Sequence, residues 1–336
     1  MKKSLFIILL LSVFFSLVAF RQPAVAQRTL TFGTSSVGSA FYIISVGMGE
    51  IIQKKTGINI SVESVGGSDA NVRALNQKKI DLAVGNSSSV AAAYSGVNPF
   101  TKEGKIPLRV LAQGQQSLRN IVVRTASGIK TPAEMKGKKF IGKRPALAEM
   151  EMLTHALLKA YGVPKEAVQI LQTPETKEAI EALKLGSADG ALIPAGIGSS
   201  TLLELAQSTE VTFLSIPDDK MQLILEELGP AFHIAVIPKG TYKGQTEEVR
   251  APALLADIIV RADFPEDQAY LITKTLLESP KELERVHSVG KEWTVSSTMK
   301  FPPAPYHSGS IKYFKEKGLW TPDIEKWQEM LLKTGK

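Results

Sequence analysis

One pattern constrains this chain more than any other, and it occurs twice. Ala74-Leu75-Asn76-Gln77-Lys78-Lys79-Ile80-Asp81 precedes the apolar run Leu82-Ala83-Val84. Ala182-Leu183-Lys184-Leu185-Gly186-Ser187-Ala188-Asp189 precedes Gly190-Ala191-Leu192-Ile193, 108 residues later. Each reads as a helix end, a tight turn holding an Asp, then a buried strand. Around them the hydrophobic period switches repeatedly between strand-like and helix-like. Leu30–Phe32 predicts a strand and 41–55 a helix ended by Gly57. Residues 58–65 alternate as a strand, 69–77 form a helix, and 80–84 a short apolar strand. A β-α-β-α-β order implies a mostly parallel sheet with helices on both faces. Two such units predict two α/β lobes. Asp81 and Asp189 are expected to satisfy the backbone of their turns.

The glycine-rich stretch Gly33–Tyr42, GTSSVGSAFY, lies on the first strand-to-helix turn. Two glycines five apart frame a phosphate-binding P-loop, but that motif needs Lys and then Ser or Thr after the second glycine. Here Ser39 and Ala40 follow Gly38, so no Lys reaches a phosphate. In open parallel sheets, ligands bind beyond the carboxyl ends of the strands. Three loops of the first lobe end there: 33–42, 66–71 and 85–89. All are rich in Gly, Ser and Asn, and helix N-termini add free N–H groups and a positive dipole end. These suit a carboxylate, phosphate or sulfonate held without covalent reaction, although Ser and Asn also serve as plain N-caps. The expected first-lobe contacts are Ser36, Ser39, Tyr42, Ser68, Asn71, Asn86 and Ser87. Tyr42 either stacks on a ligand's apolar body or packs into the core.

The second lobe offers 142–149 after one strand and 194–199 after another. Arg144 either clamps a carboxylate with two hydrogen bonds or is a solvated surface arginine. Ala195 and Gly196 are expected at the ligand. Glu149 reads as an ordinary first-turn acid on a helix. Residues 108–113 and 120–124 read as two strands, and 232–237 as another leading to Pro238–Tyr242. Two extended crossings would make a hinge around a central cleft. The expected division is a signal peptide over 1–26, lobe one over 27–115 and 239–336, and lobe two over 116–238.

The N-terminus predicts the compartment. Lys2 and Lys3 precede an apolar stretch from Leu5 to Phe20, and Ala24-Val25-Ala26 is an A-x-A processing site. A cleaved signal peptide and a free periplasmic chain starting at Gln27 are expected. The sequence has no Cys, which excludes a lipoprotein anchor, disulfides and thiolate chemistry. The formal charge is +7, and removing Lys2, Lys3 and Arg21 with the leader leaves +4. Lys and Arg alternate with acids rather than clustering, so no nucleic-acid partner is expected.

Catalytic patterns are missing. There is no G-x-S-x-G elbow, no H-E-x-x-H and no G-x-G-x-x-G. The four histidines, His155, His233, His287 and His307, are far apart in sequence. The reading is a non-enzyme without cofactor or metal, acting as a monomer. A secreted hydrolase is the rival of a different class.

Taken in order, several segments resemble the TAXI family of solute-binding proteins, the extracytoplasmic receptors of TRAP transporters. The Gly33–Tyr42 loop resembles that family's opening. Gly67-Ser68-Asp69-Ala70-Asn71 resembles its G-S-x-x-N, and Ile80-Asp81-Leu82-Ala83 its I/A-D-L-A. Thr131–Lys138, Ala188-Asp189-Gly190 with Ala195-Gly196, and Pro238–Tyr242 continue the pattern. His307-Ser308-Gly309-Ser310 with Tyr313-Phe314 closes it. The resemblance spans Arg28 to Leu319. It departs at Ser35-Ser36, at 86–89 and at 144–149, where a ligand would touch. It implies a two-lobed, type II periplasmic-binding-protein fold that closes on a small organic anion, of the carboxylate class. The closed form would dock on TRAP membrane subunits. A receptor for an ABC importer or a sensor is the alternative within the same fold.

Overall fold

The computed structural model describes residues 28–300 and 302–335. The leader expected over 1–26 lies outside the described residues. Among the described residues no helix is long and apolar enough to cross a membrane.

The chain begins with three strands and the helices between them. These are β1 (Leu30–Thr34), α1 (Ala40–Thr56), β2 (Ile60–Ser64), α2 (Ser68–Asn76), β3 (Leu82–Asn86) and α3 (Ser87–Ser95). Helix α1 ends where Gly57 adopts φ 77°, a left-handed conformation that costs glycine little, and its N–H caps Gln53 O. A 17-residue strand, β4 (Leu108–Arg124), then leaves this unit. The second unit holds β5 (Lys139–Lys143), α4 (Glu149–Ala160), β6 (Gln169–Gln172), α5 (Thr176–Leu185) and β7 (Gly190–Ala195). It continues through α6 (Ser200–Ser208), β8 (Val211–Phe213), α7 (Asp218–Leu228) and β9 (Phe232–Ile237). The return strand is β10 (Val249–Arg261). After it come α8 (Glu266–Leu277), α9 (Pro280–Val286), α10 (Val295–Thr298), α11 (Ser308–Glu316) and α12 (Pro322–Thr334).

All strands join one sheet in the order β2-β1-β3-β10-β4-β7-β5-β6, with β8 beside β4 and β9 beside β10. The pairs β1–β2, β1–β3, β5–β6 and β5–β7 are parallel. Strands β4 and β10 run antiparallel to each other and to their outer neighbours β7 and β3. Residues 108–124 form one strand where the sequence predicts two. The polar run Gln113–Ser117 interrupts the apolar pattern, yet Gln113 and Gln115 are buried within the strand. The return passage is β10 rather than the 232–242 stretch, because β9 turns back and pairs antiparallel with β10.

Three apolar clusters follow this frame. The first packs Phe32, Met48, Leu75 and Ile259 with Trp293, Tyr306 and Phe314 from the C-terminal segment. The other two cover opposite faces of the second unit. Leu118, Val122 and Ile193 lie on one face, Ile121, Val123 and Leu192 on the other, as the two-residue strand period dictates. Tyr242, Val249, Ala251 and Ala253 pack with the second unit, so the chain rejoins the first unit partway along β10.

The repeated Asp turns have the same geometry in both units. Asp81 N–H donates to Thr31 O, and its carboxylate accepts Thr31 N–H at 2.9 Å. Asp189 N–H donates to Lys139 O, and its carboxylate accepts Lys139 N–H at 2.8 Å. Each aspartate therefore clamps the first residues of the neighbouring parallel strand, which fixes where that strand starts and its register. The strand ends, in turn, place the loops of the site.

Candidate functional site

A cavity of about 380 Å³ lies between the two units, beyond the carboxyl ends of β1, β3, β5 and β7. The first unit contributes the 35–41 loop, Gly67, Ser68 and Asn86. The second contributes Arg144, Leu147, the start of α5, and Ala195, Gly196 and Ser199. Strand β4 supplies the wall between them through Gln115, Gln116, Ser117 and Arg119.

Helix N-termini surround the cavity. At α1, Ser39 Oγ accepts Tyr42 N–H, and Ala40 and Phe41 line the cavity. At α3, Asn86 Oδ1 accepts Ser89 N–H at 2.8 Å. At α6, Ser199 Oγ accepts Leu202 N–H, and Thr176 of the first turn of α5 joins the wall. The positive ends of these helices favour negative charge in the cavity. Apolar side chains, including Phe41, Leu147, Ile180 and Ile193, fill the wall between the polar groups.

Arg144 ties the two units together. It is buried, and its Nη2 donates to Ser36 Oγ at 3.1 Å and Gly66 O at 2.8 Å, across the cleft. Its Nη1 donates to Thr176 Oγ1 on its own side. Burial draws the guanidinium below the usual arginine value, while Glu175 on the cavity wall opposes that shift. Two donors on the wall have no partner, Arg144 Nε and Asn86 Nδ2, and both residues are at least nine-tenths buried. Buried polar groups are ordinarily hydrogen-bonded.

Of the residues predicted from sequence, Ser36, Ser39, Ser68, Asn86, Arg144, Ala195 and Gly196 lie on this cavity. Tyr42, Asn71 and Ser87 do not. Asn71 points into the first unit and its Nδ2 donates to Val84 O at 2.7 Å. Ser87 Oγ donates to Ala231 O at 2.9 Å and accepts Leu255 N–H, which joins α3 to the return strand. Tyr42 is half-buried on α1, off the cavity wall. Glu149 stands in the first turn of α4, and it also pairs with Arg119 at 2.5 Å, both side chains 1% exposed.

Sequence reasoning missed the β4 wall. Gln116 N–H donates to Glu292 at 2.7 Å, its Oε1 meets His233 Nε2 at 3.1 Å, and Gln115 Oε1 accepts from Trp293 Nε1. The partners lie 117 to 178 residues away. The one local signal was the polar run inside an otherwise apolar strand. The histidines do not converge on the cavity. His287 and His307 each accept a backbone N–H near a helix start, and His155 lies 3.8 Å from Glu151 on α4. Among the described residues no group of three or more His, Cys, Asp or Glu could hold a metal.

With this geometry in view, a sequence profile described as the NMT1-like family matches residues 32–318. The chain belongs to the NMT1-like family. The matched span of this NMT1-like chain includes both units and the whole cavity. Solved structures agree on the fold. The periplasmic binding protein BugD is 13% identical with a TM-score of 0.56, covering 92% of this chain and 98% of BugD. PhnD1 from Prochlorococcus marinus (MIT 9301), solved in complex with methylphosphonate, is 9% identical with a TM-score of 0.53. That match covers 88% of this chain and 100% of PhnD1. The NMT1-like chain has the type II periplasmic-binding-protein fold that its sequence predicts.

Proposed function

We propose that this protein is an extracytoplasmic solute receptor. It captures a small organic anion, of the carboxylate class, between two lobes and delivers it to a membrane importer. The observation that carries the reading is the interlobe cavity ringed by helix N-termini, two of whose lining residues, Asn86 and Arg144, keep a buried donor without a partner. An anion supplies the missing acceptors and meets the positive helix ends. Binding contributes free energy to closing the lobes, and the importer reads the closed form.

Ser36, Ser39, Ser68, Asn86, Arg144, Ala195 and Gly196 are proposed as contacts, with Gln116 and Ser117 added from β4. Tyr42, Asn71 and Ser87 then support the site from behind. The lobes divide partway along β4 and β10. The leader-like N-terminus supports a periplasmic location. A phosphonate or sulfonate is the second reading of the headgroup, favoured by the methylphosphonate in PhnD1. The TAXI resemblance implies a TRAP importer as partner, and an ATP-driven importer is the alternative. A neighbouring gene for large multi-span subunits without an ATPase would favour the first, and one with an ATPase the second.

The test is thermal unfolding of the chain from Gln27 against carboxylates, 2-oxo acids, amino acids, phosphonates and sulfonates. Ligand at about a hundred times its dissociation constant adds roughly 2.7 kcal/mol, a rise of a few degrees for a chain of this size. A shift confined to one chemical class supports the reading and names the class. No shift, after refolding to strip bound solute, overturns it.

A further inference from the structure

Beside the solute cavity the two lobes meet a second time, around two carboxylates that do not line it, Asp69 and Glu149. Asp69 opens α2 in the first lobe and is 1% exposed. Its N–H donates to Ala146 O at 3.3 Å, and its Oδ2 accepts Ala148 N–H at 2.8 Å. Ala148 is the N-cap residue of α4 in the second lobe, and no side chain of its own caps that helix. Helix α4 is therefore served across the seam by the other lobe. The remaining oxygen, Asp69 Oδ1, accepts Ser89 Oγ–H at 2.6 Å.

Next to Ala148 stands Glu149, 2% exposed. Its Oε1 accepts both Arg119 bonds, and its Oε2 has no partner. Asp69 and Glu149 line one small cavity of about 190 Å³ at the seam, with Ser88 and Ser89. Two carboxylates, one from each lobe, thus share one small space at the seam. The charged groups around them are few. Arg119 is bonded to Glu149 and Arg144 lies within Coulomb reach of it. Arg73, on the same helix as Asp69, is engaged with Glu103 and Pro99 O. Helix α3 and the 228–231 segment bring no charged side chain. Arg119 balances Glu149, and the charge of Asp69 has no cation bonded to it.

We propose that Asp69 takes up a proton from solvent as the lobes close, so that this seam is a proton-linked latch on the cleft. The inference rests on the two-lobed closing motion and is independent of which solute binds. Burial pushes the Asp69 carboxyl up to about 6, the Glu149 carboxylate adds to the rise, and the bonds from Ser89 and Ala148 oppose it. Open to water and away from Glu149, an aspartate titrates near its ordinary value of about 3.9. The closed form therefore binds the proton more tightly. Its advantage is full below pH ~4 and is lost as pH rises through about 6. A two-unit gap is worth up to roughly 100-fold in the closing equilibrium. The protonated oxygen becomes a donor, and the Ser89 hydroxyl can turn to accept from it.

The test is small-angle X-ray scattering of the ligand-free chain from Gln27 between pH 4.5 and 8. Wild type should become more compact as pH falls, with a midpoint set by Asp69. Asp69→Asn mimics the protonated carboxyl, keeps an acceptor for Ala148 N–H, and should be compact at both ends of the range. Ser89→Ala removes a bond that favours the charged form and should move the midpoint upward. Urea unfolding of each variant checks that it folds, and Ser89→Ala carries the test if Asp69→Asn does not. A radius of gyration that ignores pH, or an Asp69→Asn variant with an unchanged pH response, overturns the proposal. So does compaction at pH 8 on exchanging tetramethylammonium for sodium chloride, which would assign the seam to a metal cation. Loss of the solute response with this pH response intact would sink only the receptor reading.

Discussion

The two lobes share a frame and differ in the charge they bury. Each clamps its first strand with one aspartate through the same pair of backbone bonds, Asp81 on Thr31 and Asp189 on Lys139. Each also encloses a carboxylate that lies on a hinge strand or is bonded to one. In lobe two it is Glu149, bonded twice by Arg119. In lobe one it is Asp257, fully buried on β10, whose Oδ1 accepts from the neutral amide of Gln113 at 2.7 Å. The same problem, an acid inside a dry core, has two solutions. A bonded guanidinium holds one acid in place, whereas burial without a cation pushes Asp257 up to about 8. Repetition of a backbone frame does not repeat the electrostatics placed upon it.

The comparison breaks most visibly at Arg119. Arg119→Ala leaves Glu149 buried without its cation, and urea unfolding should show a loss of about 3–5 kcal/mol. An equal loss from Gln113→Ala would erase the distinction between the lobes. The next effect is a pH dependence. Asp257 is raised in the folded state, so its contribution is present below pH ~4 and declines as pH rises toward about 8. Stability of the wild type should fall across that window by on the order of a few kcal/mol, and Asp257→Asn should flatten the fall. A variant as pH-dependent as the wild type would show that another group titrates there.

The shared frame is tested by paired substitutions. Asp81→Ala and Asp189→Ala each strip an acceptor from a strand N–H, and each should cost about 1–3 kcal/mol. The added Arg28 contact to Asp81 is solvent-exposed on the Arg side and contributes at most about 1 kcal/mol. A difference beyond that would end the equivalence. The smallest effect concerns two glycines of the cavity wall, one from each lobe. A Cβ on Gly67 would stand 2.8 Å from Ala146 O of the other lobe, whereas on Gly196 the nearest atom is 3.6 Å away. Gly67→Ala should weaken solute binding about tenfold, equivalent to about 1.4 kcal/mol, by holding the seam apart. Gly196→Ala should stay within about 0.5 kcal/mol of wild type in stability. Isothermal titration with the solute found in the panel reads the first, and urea unfolding the second.

What the sequence shows and hides follows the range of the interactions. The Asp turns were legible because a helix end, a turn and a strand are neighbours in the chain. The loops at 33–42, 66–71 and 85–89 could be placed together on one sheet edge because strand ends and helix starts adjoin. Tyr42, Asn71 and Ser87 share those loops but not their direction. One residue of offset on a helix turns Ser87 from the cavity toward Ala231. The polar residues of β4 could not be placed, since Glu292, Trp293 and His233 come from distant segments. Gly114 shows the same limit: Trp293 packs so closely there that a Cβ would lie 2.0 Å from its ring. No nearby residue announces that need.

Strands β4 and β10 are each half in one lobe and half in the other, and they are bonded to one another along much of their length. A pair of tethers so joined behaves as a leaf spring. It flexes across its broad face and resists bending within its plane, since in-plane bending would stretch the rungs between the strands. The lobes therefore share one soft direction of travel. The same ribbon makes neither lobe a severable module, because a cut at either border leaves a strand without the neighbour that completes its ladder.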